Sequence, residues 1–173
     1  MKIIIVGGVA GGATTAARLR RLDENAEIIL FERGNHISFA NCGLPYYIGD
    51  VIKEREELLL QTPKSFKERF NIEVRVRQEV IKIKREDRKV EVQNKENGEI
   101  YEETYDKLVL APGAEPMNPF PKSTKIKTLR NVEDAVEIKK YINENRPKEI
   151  TIIGGGYIGV ELAENLSKEK DLR

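Results

Sequence analysis

Lys2-Ile3-Ile4-Ile5-Val6-Gly7-Gly8-Val9-Ala10-Gly11-Gly12-Ala13-Thr14 is the stretch that decides the architecture of this chain. Its β-branched run, Ile3 to Val6, is the pattern of a parallel strand buried on both faces. Gly7, Gly8, Gly11 and Gly12 make a turn, and Ala13 to Leu22 reads as a helix. A second apolar run, Ile28 to Phe31, ends in Glu32. Strand, helix and strand within about 30 residues form a βαβ unit, whose right-handed crossover requires a parallel sheet.

Composition narrows what such a unit serves. The 173 residues are 39% hydrophobic and 34% charged, as in a soluble globular chain. Thirty Lys+Arg against 29 Asp+Glu leave a net charge of +1, which argues against a nucleic-acid partner, since phosphate-backbone binding needs a basic face. One Cys forms no internal disulfide, and with one His no Cys/His metal cage is expected. No apolar run approaches the roughly 18 residues of a membrane span. Lys2 followed by Ile3 to Ala10 imitates a signal peptide, but glycines interrupt it and an Arg-rich helix follows, so it reads as a buried strand and turn. A lone thiol suits the cytoplasm, where it stays reduced.

Further along, residues 34–50 are irregular, and Pro63 to Phe70 reads as a helix with Pro63 in its first turn. Ile72-Val74-Val76, Val80-Ile81-Ile83 and Val90-Val92, with a turn at Asn97-Gly98, predict an antiparallel meander over about 72–106. Leu108 to Leu110 is another buried strand. Pro112, Pro116, Pro119 and Pro121 mark a linker over 114–130, and Asn131 caps a helix to about Tyr141. Ile150 to Ile153, three glycines and a helix from Tyr157 to Leu166 then repeat the opening theme about 147 residues on, without a return strand. The expected organisation is a three-layer α/β, Rossmann-like domain at 1–113 and an incomplete second dinucleotide domain at 131–173. The chain reads as a fragment of a larger protein.

A strand–turn–helix junction presents backbone N–H groups where the helix dipole favours anions, and glycines let a pyrophosphate approach. Gly154-Gly155-Gly156-Tyr157-Ile158-Gly159 satisfies G-x-G-x-x-G. The first loop places Val9 at the middle glycine position, but Glu32 stands 20 residues beyond Gly12, where a carboxylate accepts hydrogen bonds from an adenosine ribose. A single such loop is often only a tight turn. Two in one chain, the first with its acid in place, favour dinucleotide binding.

Cys42 lies in Ser38-Phe39-Ala40-Asn41-Cys42-Gly43-Leu44-Pro45-Tyr46-Tyr47. A lone cysteine is commonly a small buried hydrophobe. A loop rich in Gly, Pro, Asn and Ser after the second strand of a dinucleotide fold points instead to a ligand-facing thiol.

Taken together, residues 6–14, Ser38 to Gly49, Tyr105 to Ala114 and Gly154 to Glu164 resemble the flavoprotein pyridine nucleotide-disulfide oxidoreductases. Within that family the chain is similar to the single-cysteine branch that includes coenzyme A disulfide reductase. The resemblance implies that Gly7, Gly8, Val9, Ala10, Gly11 and Gly12 hold the FAD pyrophosphate and Glu32 its adenosine ribose. It implies Arg33 and Val80 as further FAD-binding residues, with Ala111, Pro112 and Gly113 running near the flavin. Gly154, Gly156, Tyr157, Ile158 and Gly159 would hold NADH or NADPH, with Glu161 near the nicotinamide. Cys42 would be the redox-active thiol, oxidised as a mixed disulfide with coenzyme A and reduced by electrons passed from NAD(P)H through FAD. Ser38 and Asn41 would be substrate-binding residues whose hydrogen bonds tune the thiol.

Thr14, Arg18 and Arg21 share one face of the first helix, and the resemblance implies that this face binds the small-molecule disulfide or persulfide, with the two guanidiniums suited to its phosphates. A solvated basic face is the alternative reading of the same residues. The end of the 64–70 helix, where relatives carry a further cation, offers Arg69 and then Phe70.

NADH oxidases and peroxidases of the same branch cycle a cysteine through sulfenic acid and carry a histidine in the first loop. This chain has Ala10 there, and His36 lies outside it. The family's second FAD-contacting segment and its homodimerisation domain are expected beyond residue 173, so a catalytically inactive fragment is a third expectation.

Overall fold

The computed structural model describes residues 1–121 and 123–168; residues 169–173 of the expected second domain lie outside them. Among the described residues there are seven strands: β1 (Lys2–Val6), β2 (Glu27–Glu32), β3 (Glu73–Val76), β4 (Gln78–Lys84), β5 (Lys89–Asn94), β6 (Ile100–Thr104) and β7 (Lys107–Leu110). The α-helices are α1 (Ala10–Leu22), α2 (Leu44–Ile48), α3 (Pro63–Phe70), α4 (Val132–Asn145) and α5 (Tyr157–Leu166). These residues divide into two units, Met1–Phe39 with Gln61–Gly113, and Ala40–Leu60 with the described part of Ala114–Arg173.

The first unit is built on a parallel sheet of order β3-β2-β1-β7, beside a separate antiparallel sheet β4-β5-β6. Side chains alternate across the pleat, so each strand feeds two cores. Ile3, Ile5, Ile28 and Leu30 pack with Ala13 and Ala16 of α1 and Phe66 of α3. Ile4, Ile29 and Phe31 point the other way and pack with Val90 and Val92 of the antiparallel sheet. The result is the expected α/β arrangement in three layers, with β1 and β2 buried on both faces. Each such fully buried side chain contributes about 1.5–3 kcal/mol.

Polar groups fix the layers. Thr62 caps α3 by accepting from the Ser65 N–H at 3.1 Å. The Arg20 guanidinium donates to the carbonyls of Phe70 at 2.8 Å and Asn71 at 2.9 Å, tying α1 to the end of α3. Arg75 of β3 donates to Glu103 of β6 at 2.7 Å, and the Lys2 ammonium reaches the other Glu103 oxygen at 2.5 Å.

Helix α1 starts at Ala10 rather than Ala13, α2 lies within the stretch read as irregular, and β7 leaves Leu110 exposed rather than buried; four further elements differ from the sequence reading. Glu73–Val76, expected in the meander, runs parallel to β2, because Val74 and Val76 complete the helix-side core around Ile72. Strand β6 was not foreseen. Its adjacent acids conceal it, and they are balanced by Lys84 and Lys89 on Glu102 and by Lys2 and Arg75 on Glu103. Helix α4 starts after its Asn131 cap but runs on to Asn145. Ile150 to Ile153 is not a strand, since it pairs with none among the described residues. The α3 and α5 boundaries fall where the sequence puts them.

In the second unit α2 packs on α4 and α5. Residues 40–60 therefore group with these later helices rather than with the strands they follow.

Burial pushes the Glu103 carboxyl up, but hydrogen bonds from Lys2 and Arg75 outweigh it and hold the group below its ordinary range. A depressed carboxylate pKa gives stability that is full above the unfolded value of roughly 4.3 and is lost as pH falls through the folded value. Urea midpoints are therefore expected to fall below about pH 4. Glu103→Gln should cost about 1–2 kcal/mol at pH 7 and flatten that acid limb. An unchanged pH profile in the variant would exclude Glu103 as its source.

Candidate functional site

In the parallel sheet β1 has β2 on one side and β7 on the other, so the strand order reverses there. Ligand crevices form at such a reversal, beyond the carboxyl ends of the strands. The loops leaving β1 and β7 meet in this place. Gly7 has φ +96°, and a Cβ on it would lie 2.0 Å from the Ala111 carbonyl oxygen. A Cβ on Gly12 would lie 1.7 Å from the Gly7 oxygen, so the turn closes only on glycine. The Gly7 N–H donates to the Phe31 carbonyl at 2.8 Å, and the Ala111 N–H to that of Val6 at 2.8 Å. Helix α1 begins immediately after Val9 with no side-chain cap and no acid in its first turn. Its first N–H groups are therefore available to an anion.

Glu32 closes the crevice. It is 9% exposed, and its two oxygens accept from the N–H groups of Gly8 and Gly34, each at 2.7 Å. Each oxygen keeps a further lone-pair site. Gly7, Glu32, Arg33, Val80 and Pro112 line one cleft of about 170 Å³. Gln78 and Glu79 also line it, and the sequence reading missed both. They enter because β4 starts over β2, a tertiary placement with no local signal. Glu79 pairs with Lys95 at 2.8 Å and with Arg33 at 3.9 Å. The Ser38 N–H donates to the Gly8 carbonyl at 3.0 Å, so Ser38 braces the glycine loop. Gly113 has φ +69° at the end of the β7 loop. A cradle of this kind can accept a pyrophosphate, and the carboxylate can accept hydroxyls.

On α1, Thr14, Arg18 and Arg21 are exposed, as their common face requires. Arg18 and Arg21 show no hydrogen bond or ion pair among the described residues. Arg69 instead lies over the Phe70 ring at 5.1 Å.

In the second unit Cys42 is exposed, in a 3₁₀ turn over Asn41–Gly43 that runs directly into α2. Gly43 allows that turn to pack closely, since a Cβ there would lie 2.9 Å from Leu58 Cδ2. Asn41 Oδ1 is buried with no hydrogen-bond partner. The second glycine loop shares with the first a positive φ at its opening glycine and a close approach of its last glycine to that residue, although no strand precedes it among the described residues. Gly154 has φ +112°, and a Cβ on Gly159 would meet the Gly154 oxygen at 2.2 Å and Ile152 Cγ2 at 3.5 Å. In the first loop the matching contacts of Gly12 are the Gly7 oxygen and Ile5 Cγ2 at 3.3 Å. Tyr157 is 91% exposed at the start of α5, Ile158 is exposed and Glu161 half-buried; a Cβ on Gly154, Gly155 or Gly156 would meet nothing within 4 Å.

Among the described residues no cluster of three His, Cys, Asp or Glu side chains is arranged to hold a metal ion, and no helix is long and apolar enough to cross a membrane.

Comparison with known proteins agrees with this geometry. Residues 1–171 match the family model described as pyridine nucleotide-disulphide oxidoreductase. The chain is 47% identical over 165 residues to the coenzyme A disulfide reductase of Staphylococcus haemolyticus, covering 95% of this chain and 38% of that protein. The crystal structure of reduced Bacillus anthracis CoADR-RHD superposes with a TM-score of 0.95 at 53% identity, over 99% of this chain and 31% of that one. A NAD-dependent persulfide reductase from A. fulgidus gives a TM-score of 0.89 at 34% identity, over 96% of this chain and 32% of that one. The chain thus spans 38% of the length of that curated relative. It belongs to the pyridine nucleotide-disulphide oxidoreductase family.

Proposed function

We propose that this chain serves an NAD(P)H-dependent, FAD-containing reductase of coenzyme A disulfide, or of a related low-molecular-weight disulfide or persulfide, with Cys42 as the redox thiol. The observation that carries the reading is the pair of glycine loops, 147 residues apart, each opening on a glycine of positive φ against which its last glycine packs, in a chain with a single exposed cysteine. The reductase names of its relatives support the substrate class.

The residues fit FAD. Gly7 and Gly12 admit no Cβ, which keeps the turn tight enough to aim its N–H groups at a pyrophosphate, and Glu32 keeps acceptor capacity for ribose hydroxyls after bonding Gly8 and Gly34. Gly7 to Gly12, Glu32, Arg33, Val80 and Ala111 to Gly113 would hold the group. Bound FAD supplies two-electron transfer between a pyridine nucleotide and a disulfide. Gly154 to Gly159 would hold the pyridine nucleotide, with Glu161 on the following turn.

The work of Cys42 follows from having no second thiol. Its thiolate attacks one sulfur of the substrate disulfide, forming a mixed disulfide and expelling one thiolate. Two electrons from NAD(P)H then cleave the mixed disulfide, releasing the second thiol and restoring Cys42. In sum one disulfide, one NAD(P)H and one proton give two thiols and NAD(P)⁺. Arg18 and Arg21, exposed and without ion pairs among the described residues, suit the phosphates of a coenzyme A moiety through forked hydrogen bonds. Ala10, in place of a histidine, supplies no proton donor for peroxide chemistry. A reducing compartment such as the cytoplasm keeps the thiol active.

Cys42→Ser is expected to lower NADH-dependent reduction of coenzyme A disulfide by about a hundredfold or more while FAD binding is retained. Undiminished turnover would reject Cys42 as the nucleophile. Replacing both Arg18 and Arg21 by Ala should raise the KM for coenzyme A disulfide about tenfold and leave that for a small disulfide without phosphates unchanged. Equal effects on both substrates would remove the phosphate-binding role.

A further inference from the structure

Lys139 occupies an unusual position on its helix. Val132 and Ala135 are buried on one face of α4, and the helical repeat returns Lys139 to that face, where its side chain is only 13% exposed. An ammonium so placed is costly unless paired. Both of its partners come from the segment that carries Cys42. Its Nζ lies 2.9 Å from Asp50 Oδ1 and 4.0 Å from the centre of the Tyr47 ring.

Backbone hydrogen bonds and the buried Leu44 and Ile48 hold the interior of that segment, but its side-chain polar anchoring is sparse. Neither the Asn41–Gly43 turn nor α2 has a side-chain cap, and Asn41 Oδ1 bonds to nothing. Asp50 has φ +59°, the left-handed region that disfavours non-glycine residues. Its carboxylate is the group that Lys139 grips. Next to it, a Cβ on Gly49 would lie 2.5 Å from Asn165 Cβ of α5, so the end of the segment fits closely against that helix.

We infer that Lys139 is a positioning residue for Cys42: by binding the Tyr47 ring and the Asp50 carboxylate together it fixes α2, and with α2 the turn that presents the thiol. The inference rests on the reading of Cys42 as the redox group, but its test does not use that chemistry.

Because Cys42 is the only cysteine, one ¹⁹F probe can be attached there with a trifluoromethyl ketone alkylating reagent. The unaltered protein should give a single resonance. Lys139→Met keeps the aliphatic stem and removes the charge; Asp50→Asn keeps a residue that tolerates the left-handed backbone. Each is expected to shift or split the resonance and to change the alkylation rate about threefold, the scale of a partly desolvated cation–π and ion-pair contact. Lys139→Arg should restore both readouts. Lys140→Met, at a neighbour 68% exposed, should leave both as they were. A single unshifted resonance and an unchanged rate in folded Lys139→Met and Asp50→Asn would overturn the inference; should Lys139→Met fail to fold, Asp50→Asn alone decides. These readouts need neither FAD nor NADH. Failure of the redox reading appears instead as undiminished turnover in Cys42→Ser.

Discussion

The Glu32 carboxylate, bonded at once to the N–H groups of Gly8 and Gly34, is the constraint on which the first unit's crevice depends. It stands at the end of a strand buried on both faces, and its two hydrogen bonds join the loop after β1 to the loop after β2. Without them a nearly buried carboxylate and two loop N–H groups would all lose partners, each at a cost of about 1–3 kcal/mol. The same two bonds leave acceptor sites on Glu32 directed by a rigid loop rather than by a flexible side chain. In the proposed reading, packing and recognition meet in one group. The Gly7–Ala111 contact completes the crevice by bringing the β7 loop against the glycine turn, so three strand ends converge on one cleft.

The second glycine loop shows how far local sequence alone can carry geometry. Its positive φ at Gly154 and its close Gly159–Gly154 approach match those of the first loop, although Ile150 to Ile153 has no strand partner among the described residues. Both loops follow the backbone sterics of a glycine-rich turn that closes onto the helix after it. A strand, by contrast, exists only through its neighbour, which is why the β-branched run before the loop does not register as one.

Much of this was legible from residue pattern. The runs Ile3 to Val6 and Ile28 to Phe31 could serve only as doubly buried strands, and Pro63, Asn131 and the glycines of the second loop marked helix starts that the structure keeps. Alternation could not tell which sheet Val74 and Val76 belong to, because period-2 burial is the same in a parallel and an antiparallel neighbour. Strand β6 was hidden by Glu102 and Glu103, whose charges are answered by lysines and an arginine distant in sequence. Gln78 and Glu79 reach the cleft through the placement of β4 on β2, which no spacing encodes. Nor did chain order reveal that the Cys42 segment packs on α4 and α5, since the deciding contacts, Gly49 on Asn165 and Lys139 on Asp50, span most of the chain.

The crevice of the first unit is proposed to take the adenosine diphosphate portion of FAD. Titrating the purified chain with FAD and, separately, with FMN tests this most directly, because the two share the flavin ring and only FAD carries that portion. Saturable quenching of flavin fluorescence with FAD, at concentrations where FMN stays free, is the expected result. Equal binding of FAD and FMN, or no binding of either, would contradict it.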